Sequence, residues 1–98
     1  MRRIAVTGAT GFVGRNFVLA LSKAGYDVVA FGRKSIPNCT YWDITDGALK
    51  KVPAVDVVVH CAAQVDDWAP YPTAYQGNVV GTKNVLTTFH DVRKFIFI

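Results

Sequence analysis

Three glycines, Gly8, Gly11 and Gly14, follow the apolar run RIAVT in a G-x-x-G-x-x-G spacing, within the stretch TGATGFVG. Backbone binding of an anion is the chemistry such spacing serves, because a strand that turns sharply into a helix aims several amides at one point. Gly8 is placed to make the turn, Gly11 to let amides approach a pyrophosphate, and Gly14 to let the helix lie close to the strand. The amides around Thr10, Gly11, Phe12 and Val13 would then meet the phosphates at the helix N-terminus. A strand–turn–helix junction without a ligand satisfies the same spacing, and Arg15 suits either a phosphate contact or a solvated helix face.

Other chemically capable residues are sparse. Asp66, Asp67 and Trp68 form a polar–aromatic cluster after an apolar run, placed either to contact a substrate or to form a solvated loop with Trp68 tucked inward. Paired acids can bind metal, but no other ligand is spaced near them, and no metal site is predicted. His60 lies within a strand-like run, where packing is the expected role rather than general-base catalysis. Cys39 and Cys61 lack metal spacing and read as reduced, buried thiols of a cytoplasmic protein.

The elements that must position these residues follow from hydrophobic patterning. RIAVT, DVVAFG, TYWDI, VDVVVHCAA and KFIFI read as strands, the fourth being the most strongly β-favouring. Between the first two, FVGRNFVLALSKAG has Phe12, Val13, Phe17, Leu19, Ala20 and Leu21 at helical spacings, with Gly25 as its stop. DGALKKV is predicted as one short helical stretch with Asp46 near its start. YPTAYQGNVVGTKNVLTTFHDV is predicted as a long helix in which Thr82 to Phe89 supply a packing face. Strands apolar almost throughout suit burial on both faces of a parallel sheet, and right-handed crossovers make it doubly wound. The expected fold is α/β of Rossmann type, with strand order 3-2-1-4-5 and a ligand crevice between the ends of strands one and four.

Bulk properties fit one small globular domain: 98 residues, 51% hydrophobic, 18% charged. The longest apolar runs are too short to cross a bilayer, and the N-terminus does not read as a signal peptide. The net charge of +4 is scattered as Arg2-Arg3, Arg33-Lys34, Lys50-Lys51 and Arg93-Lys94, without a basic stripe of interleaved aromatics. That pattern argues against nucleic acid as a partner and suits an anionic small ligand.

With the glycine signature TGATGFVG, the segments WDITD, VDVVVHCAA and NVVGTKNVL follow in order. Together they resemble the extended branch of the short-chain dehydrogenase/reductase superfamily, the NAD(P)-dependent epimerases, dehydratases and reductases, over Arg3 to Ile98. The resemblance implies a nicotinamide dinucleotide cofactor. It makes Asp43 the acceptor for the adenine amino group and Ile44 a flank of the ring, whereas Asp43 taken alone could cap the following turn and Asp46 is the better capping candidate. It places Cys61, Ala62 and Ala63 along the phosphate–ribose portion, with Gln64 and Val65 beginning a loop that borders the nicotinamide. Asn78 matches the helix asparagine that supports the catalytic lysine through a water and a main-chain carbonyl.

An NAD site usually carries an acid at the tip of the second strand. Here that strand ends VVAFGRKS, with Arg33 and Lys34 where a 2′-phosphate would sit and Asp27 at the opposite end. NADP is therefore favoured over NAD. The family's serine or threonine and Tyr-x-x-x-Lys pair have no counterpart, since none of Tyr26, Tyr41, Tyr71 and Tyr75 precedes a lysine by four positions. The chain is expected to be the N-terminal, cofactor-binding part of a larger oxidoreductase or epimerase, without its catalytic segment and substrate domain, and inactive by itself. The alternatives are a nucleotide-binding or regulatory module without catalysis, and a structural unit in which a fifth strand and an exposed helix favour self-association.

Overall fold

A computed structural model describes residues 2–34, 36–61 and 79–98. Five strands form one parallel sheet: β1 (Arg3–Thr7), β2 (Asp27–Gly32), β3 (Cys39–Tyr41), β4 (Val57–His60) and β5 (Lys94–Phe97). Their spatial order is β3-β2-β1-β4-β5, the order expected from the sequence. Register sets Thr7 level with Phe31 on one side and His60 on the other, so the carboxyl ends of the central strands finish together.

Strand alternation divides the core between two faces. Ile4, Val6, Ala30 and Val59 face helix α1 (Phe12–Lys23), packing with its Phe17, Val18 and Leu21. Ala5, Phe31 and Val58 face the other way, towards helix α2 (Gly81–Thr88), with Trp42, Ile44, Val85 and Phe89. On that second face Trp42 packs edge-on to Phe31 and Phe89, with ring centroids 5.4 and 6.1 Å away. Its indole N–H donates to the Gly47 carbonyl at 3.0 Å, so the large ring is buried without an unpaired donor.

Helix α1 ends as Gly25 requires. With φ of 92° at Gly25, its amide donates to the Ser22 carbonyl and the Tyr26 amide to the Leu21 carbonyl, a Schellman ending. The inward face differs from the simple apolar count: Val18 turns inward, while Phe12, Val13 and Leu19 stay exposed.

Three expectations are corrected. The third strand stops at Tyr41, because Trp42 turns into the core. Of the stretch 46–52 only Asp46 is helical, as the last residue of a 3-10 turn (Ile44–Asp46) that ends at Gly47, whose φ of 131° cannot continue a helix. Within the described part of the predicted long helix, residues 79–80 are a π turn and α2 ends at Thr88 rather than at Val92. Phe89 takes φ −109° and ψ 46°, which breaks the helix while its ring is buried among Phe31 and Trp42.

Candidate cofactor site

The glycine turn connects β1 to α1, and its three glycines are demanded by different things. Gly8 adopts φ of 66°, a left-handed conformation that favours glycine. Gly14 is buried, and a Cβ there would overlap the Gly8 carbonyl and come within 3.0 Å of the Ala9 Cα. Gly11 is different: it is exposed, and the nearest atom to an added Cβ is the Gly8 oxygen at 3.5 Å, an ordinary contact. The fold therefore has room for a side chain at Gly11, and its absence keeps the space over the end of α1 clear. Gly11 is also the N-cap of α1, no side chain caps that end, and no acid lies in the first turn. The Gly11 amide donates to the Gly8 carbonyl at 3.1 Å and so is not free for a ligand, contrary to the expectation from the sequence. The Phe12 and Val13 amides and the positive end of the helix dipole are left with the chemistry that suits a pyrophosphate.

Around this turn, Thr10 packs against the end of β2, where a Cβ on Gly32 would lie 2.9 Å from its Cγ2. Arg33 and Lys34 follow Gly32 and are exposed. No acid occupies this strand end, and Asp27 at the opposite end is held by Arg3, Nε to Oδ2 at 2.8 Å.

Asp43 precedes the 3-10 turn and caps it, its Oδ1 accepting from the Thr45 amide at 3.0 Å and the Thr45 hydroxyl at 2.7 Å. The residue expected to be the better cap, Asp46, donates its amide to the Asp43 carbonyl instead. The Thr45 hydroxyl bond holds the Asp43 carboxyl below the usual aspartate range, aided by the Thr45 amide and the Arg33 charge and opposed by partial burial. An ionised Asp43 is an acceptor only, as an amino group requires, and Ile44 beside it is buried.

At the end of β4, His60 is 3% exposed and bonded on both ring nitrogens. Cys61 donates its amide to the Thr7 carbonyl and hydroxyl, both at 3.2 Å, so the Thr7 O–H is free to donate to His60 Nδ1 at 2.6 Å. A neutral ring with its proton on Nε2, donating to the Thr82 hydroxyl on α2 at 2.8 Å, satisfies both contacts. Burial pushes the His60 pKa down. His60 is a structural tie between β1, β4 and α2, with Phe95 and Phe97 packed beside it. Cys61 is half-buried, and burial raises its thiol pKa, leaving an inert small side chain beside the turn. Among the described residues no group of His, Cys, Asp and Glu could hold a metal, and no helix is long and apolar enough to cross a membrane.

Gly8, Thr10, Gly11, Phe12, Val13, Gly14, Arg33, Lys34 and Cys61 thus gather at the carboxyl edge of the sheet, with Asp43 and Ile44 in the loop after β3. Ala62, Ala63, Gln64, Val65, Asp66, Asp67, Trp68 and Asn78 lie outside the described residues. What sequence reasoning missed is α2's part in holding the Asp43 loop: Asn84 Nδ2 donates to the Ile44 carbonyl at 2.7 Å and the Leu49 amide donates to the Thr88 hydroxyl at 3.0 Å. No local spacing signals such a contact across some forty positions.

The sequence model of the NAD dependent epimerase/dehydratase family matches residues 4–98. The chain belongs to that family. It is similar to 2-alkyl-3-oxoalkanoate reductase of Stenotrophomonas maltophilia, 31% identical over 97% of this chain and 32% of the relative. It is similar also to UDP-glucose 4-epimerase of Vibrio cholerae, 35% identical over 99% of this chain and 34% of that enzyme. Among solved structures, a short-chain dehydrogenase/reductase superfamily protein from Agrobacterium tumefaciens with bound NAD matches with a TM-score of 0.72. It is 30% identical, and the match covers 97% of this chain and 31% of that one. This epimerase/dehydratase-family chain spans about a third of the length of the curated relatives it matches.

Proposed function

We propose that the chain is the cofactor-binding part of an NAD(P)-dependent oxidoreductase, epimerase or dehydratase that acts by hydride transfer on a nucleotide sugar or another small hydroxyl or carbonyl compound, and that it prefers NADP. The observation that carries this reading is Gly11: the fold has room for a side chain there, and a dinucleotide lying across the turn accounts for that space being kept clear. The cofactor, when bound, supplies the nicotinamide ring that gives or takes the hydride.

The chain's own residues bind and orient. The turn from Gly8 to Gly14 holds the pyrophosphate through the amides of Thr10, Phe12 and Val13, with Gly11 keeping the approach clear, and the small residues Cys61, Ala62 and Ala63 let the phosphate–ribose portion lie along the end of β4. Asp43 accepts from the adenine amino group, and the Ile44 position borders the ring with its side chain packed into the core. Gln64 borders the nicotinamide, Asp66, Asp67 and Trp68 face the substrate, and Asn78 supports a catalytic lysine that this stretch of sequence does not contain.

The preference for NADP rests on the exposed Arg33 and Lys34 at the tip of β2, where no carboxylate is present to receive a ribose 2′-hydroxyl or to repel a 2′-phosphate. The guanidinium of Arg33 matches a phosphate bidentately. Titration of the chain, followed by amide NMR shifts, with adenosine 2′,5′-bisphosphate and with 5′-AMP isolates that group. The bisphosphate is expected to bind about tenfold more tightly, as a charge-assisted hydrogen bond warrants, and Arg33→Ala to abolish the difference. Equal or tighter binding of 5′-AMP by the unaltered chain overturns the preference.

A further inference from the structure

We infer that Asn84 is a positioning residue for the cofactor's adenine, acting from α2 through the turn that carries Asp43 and Ile44; the inference rests on the cofactor-binding reading above. The turn is short and weakly held by itself. From within it is held by the Asp46 amide donating to the Asp43 carbonyl at 3.0 Å and by the Asp43 carboxylate cap on Thr45. Turns of this length do not hold one conformation without outside contacts.

Two outside contacts fix it. The Ile44 side chain is buried against the aromatic group of Phe31, Trp42 and Phe89. Asn84 Nδ2 donates to the Ile44 carbonyl at 2.7 Å, and because a carbonyl accepts only from a donor, the amide orientation is set. This bond falls on the Ile44–Thr45 peptide, whose amide donates to Asp43 Oδ1, so it fixes the plane from which the Asp43 carboxylate is held. Thr88, one turn further along α2, accepts from the Leu49 amide, five residues beyond Ile44. It holds the loop but not the Ile44–Thr45 peptide, and so provides an internal control. The opposite end of the same helix is tied to the sheet through Thr82 and His60. Asn84 therefore projects from a helix anchored at both ends, and its donor has little freedom to follow a wandering turn.

Without that donor the turn samples conformations in which Asp43 is misdirected, and apparent affinity falls with the fraction that remains competent. Titration of the chain with 5′-AMP, followed by the amide shifts of Asp43 to Thr45 with thermal melts alongside, tests this. Asn84→Leu, close in size and without a donor, and Asn84→Asp, isosteric and without a donor at neutral pH, are each expected to raise the dissociation constant about tenfold, the upper range for one hydrogen bond. Thr88→Val is expected to lower the melting temperature while leaving the 5′-AMP affinity within twofold of the unaltered chain, given the distance of its bond from Asp43. Lowered melting with unchanged affinity in both Asn84 variants, or an equal affinity loss in Thr88→Val, makes Asn84 merely structural and overturns the inference. Should Asn84→Leu not fold, Asn84→Asp alone decides. A 5′-AMP titration of the unaltered chain that shifts Gly11 to Val13 but not Asp43 to Thr45 overturns the inference and leaves the phosphate site standing. Shifts at neither place overturn the cofactor-binding reading itself.

Discussion

Gly11 and Gly14 stand one helical turn apart, yet the same substitution at each is expected to have opposite consequences. A Cβ at Gly14 meets the backbone of Gly8 and Ala9, which cannot rotate away, so helix and strand must separate. Gly14→Ala is expected to destabilise the chain by about 3 kcal/mol or more, the upper end for overpacking, despite alanine's better helix propensity. Gly11→Ala meets no such obstacle and should cost at most about 1 kcal/mol as a poorer N-cap. Its methyl instead occupies the approach to the first-turn amides, so 5′-AMP binding should be lost from a folded protein. Thermal melts and amide shift titrations on the two variants check this; a stable Gly14→Ala, or undiminished binding by Gly11→Ala, would contradict the assignment. At this scale the sequence was only partly legible. Spacing marks all three glycines alike, and the space around each Cβ separates Gly14, which the packing of helix on strand needs, from Gly11, which it does not. Asp43 shows the same limit: sequence offers cap or adenine acceptor as alternatives, whereas the structure has Oδ1 capping Thr45 in an ionised carboxylate that remains available as an acceptor.

Between elements, the tie from Thr7 through His60 to Thr82 makes a strand-to-helix junction sensitive to acid. Its hydroxyl and imidazole groups satisfy one another with His60 neutral, and burial lowers the pKa below histidine's ordinary 6.5. The sign follows from proton counting. Between the folded and unfolded pKa values the unfolded chain binds more protons, so stability is full above about pH 6.5 and declines as pH falls through the folded value. Thermal melts of wild type and His60→Gln between pH 7.5 and 5 should show the wild-type advantage shrinking on acidification, and a constant difference would refute the account. The elements themselves were largely legible, because parallel strands buried on both faces are apolar throughout and strand order follows from right-handed crossovers. The failures occurred where one side chain's tertiary environment overrides local pattern. Trp42 ends β3 and Phe89 ends α2, each turning into a cluster with Phe31 that no periodicity announces. The stretch after Asp46 has helical composition, but Gly47 takes a conformation that only glycine readily holds.

For the whole molecule, parallel topology explains why residues so distant in sequence share a site. Every strand leaves the sheet at the same edge, so the glycine turn after β1, Arg33 and Lys34 after β2 and Cys61 after β4 lie there together. On the proposed reading that edge orients a dinucleotide, but turnover also needs a proton donor beside the reacting carbon. Tyr26 stands just before β2, at the opposite edge, and Tyr41 on the outermost strand beside Gly32; both are exposed, and neither precedes a lysine by four positions. Tyr71 and Tyr75 lack that lysine as well. The 98-residue chain is therefore expected to bind NADP no more than about threefold more tightly than adenosine 2′,5′-bisphosphate, a factor worth less than one hydrogen bond. It is also expected to leave NADPH unoxidised with any carbonyl compound. Calorimetric titration and absorbance at the nicotinamide band test the two statements separately. Submicromolar NADP binding would place a working nicotinamide subsite within these residues, and measurable NADPH oxidation would require a proton donor among side chains that the tyrosine–lysine pattern does not identify.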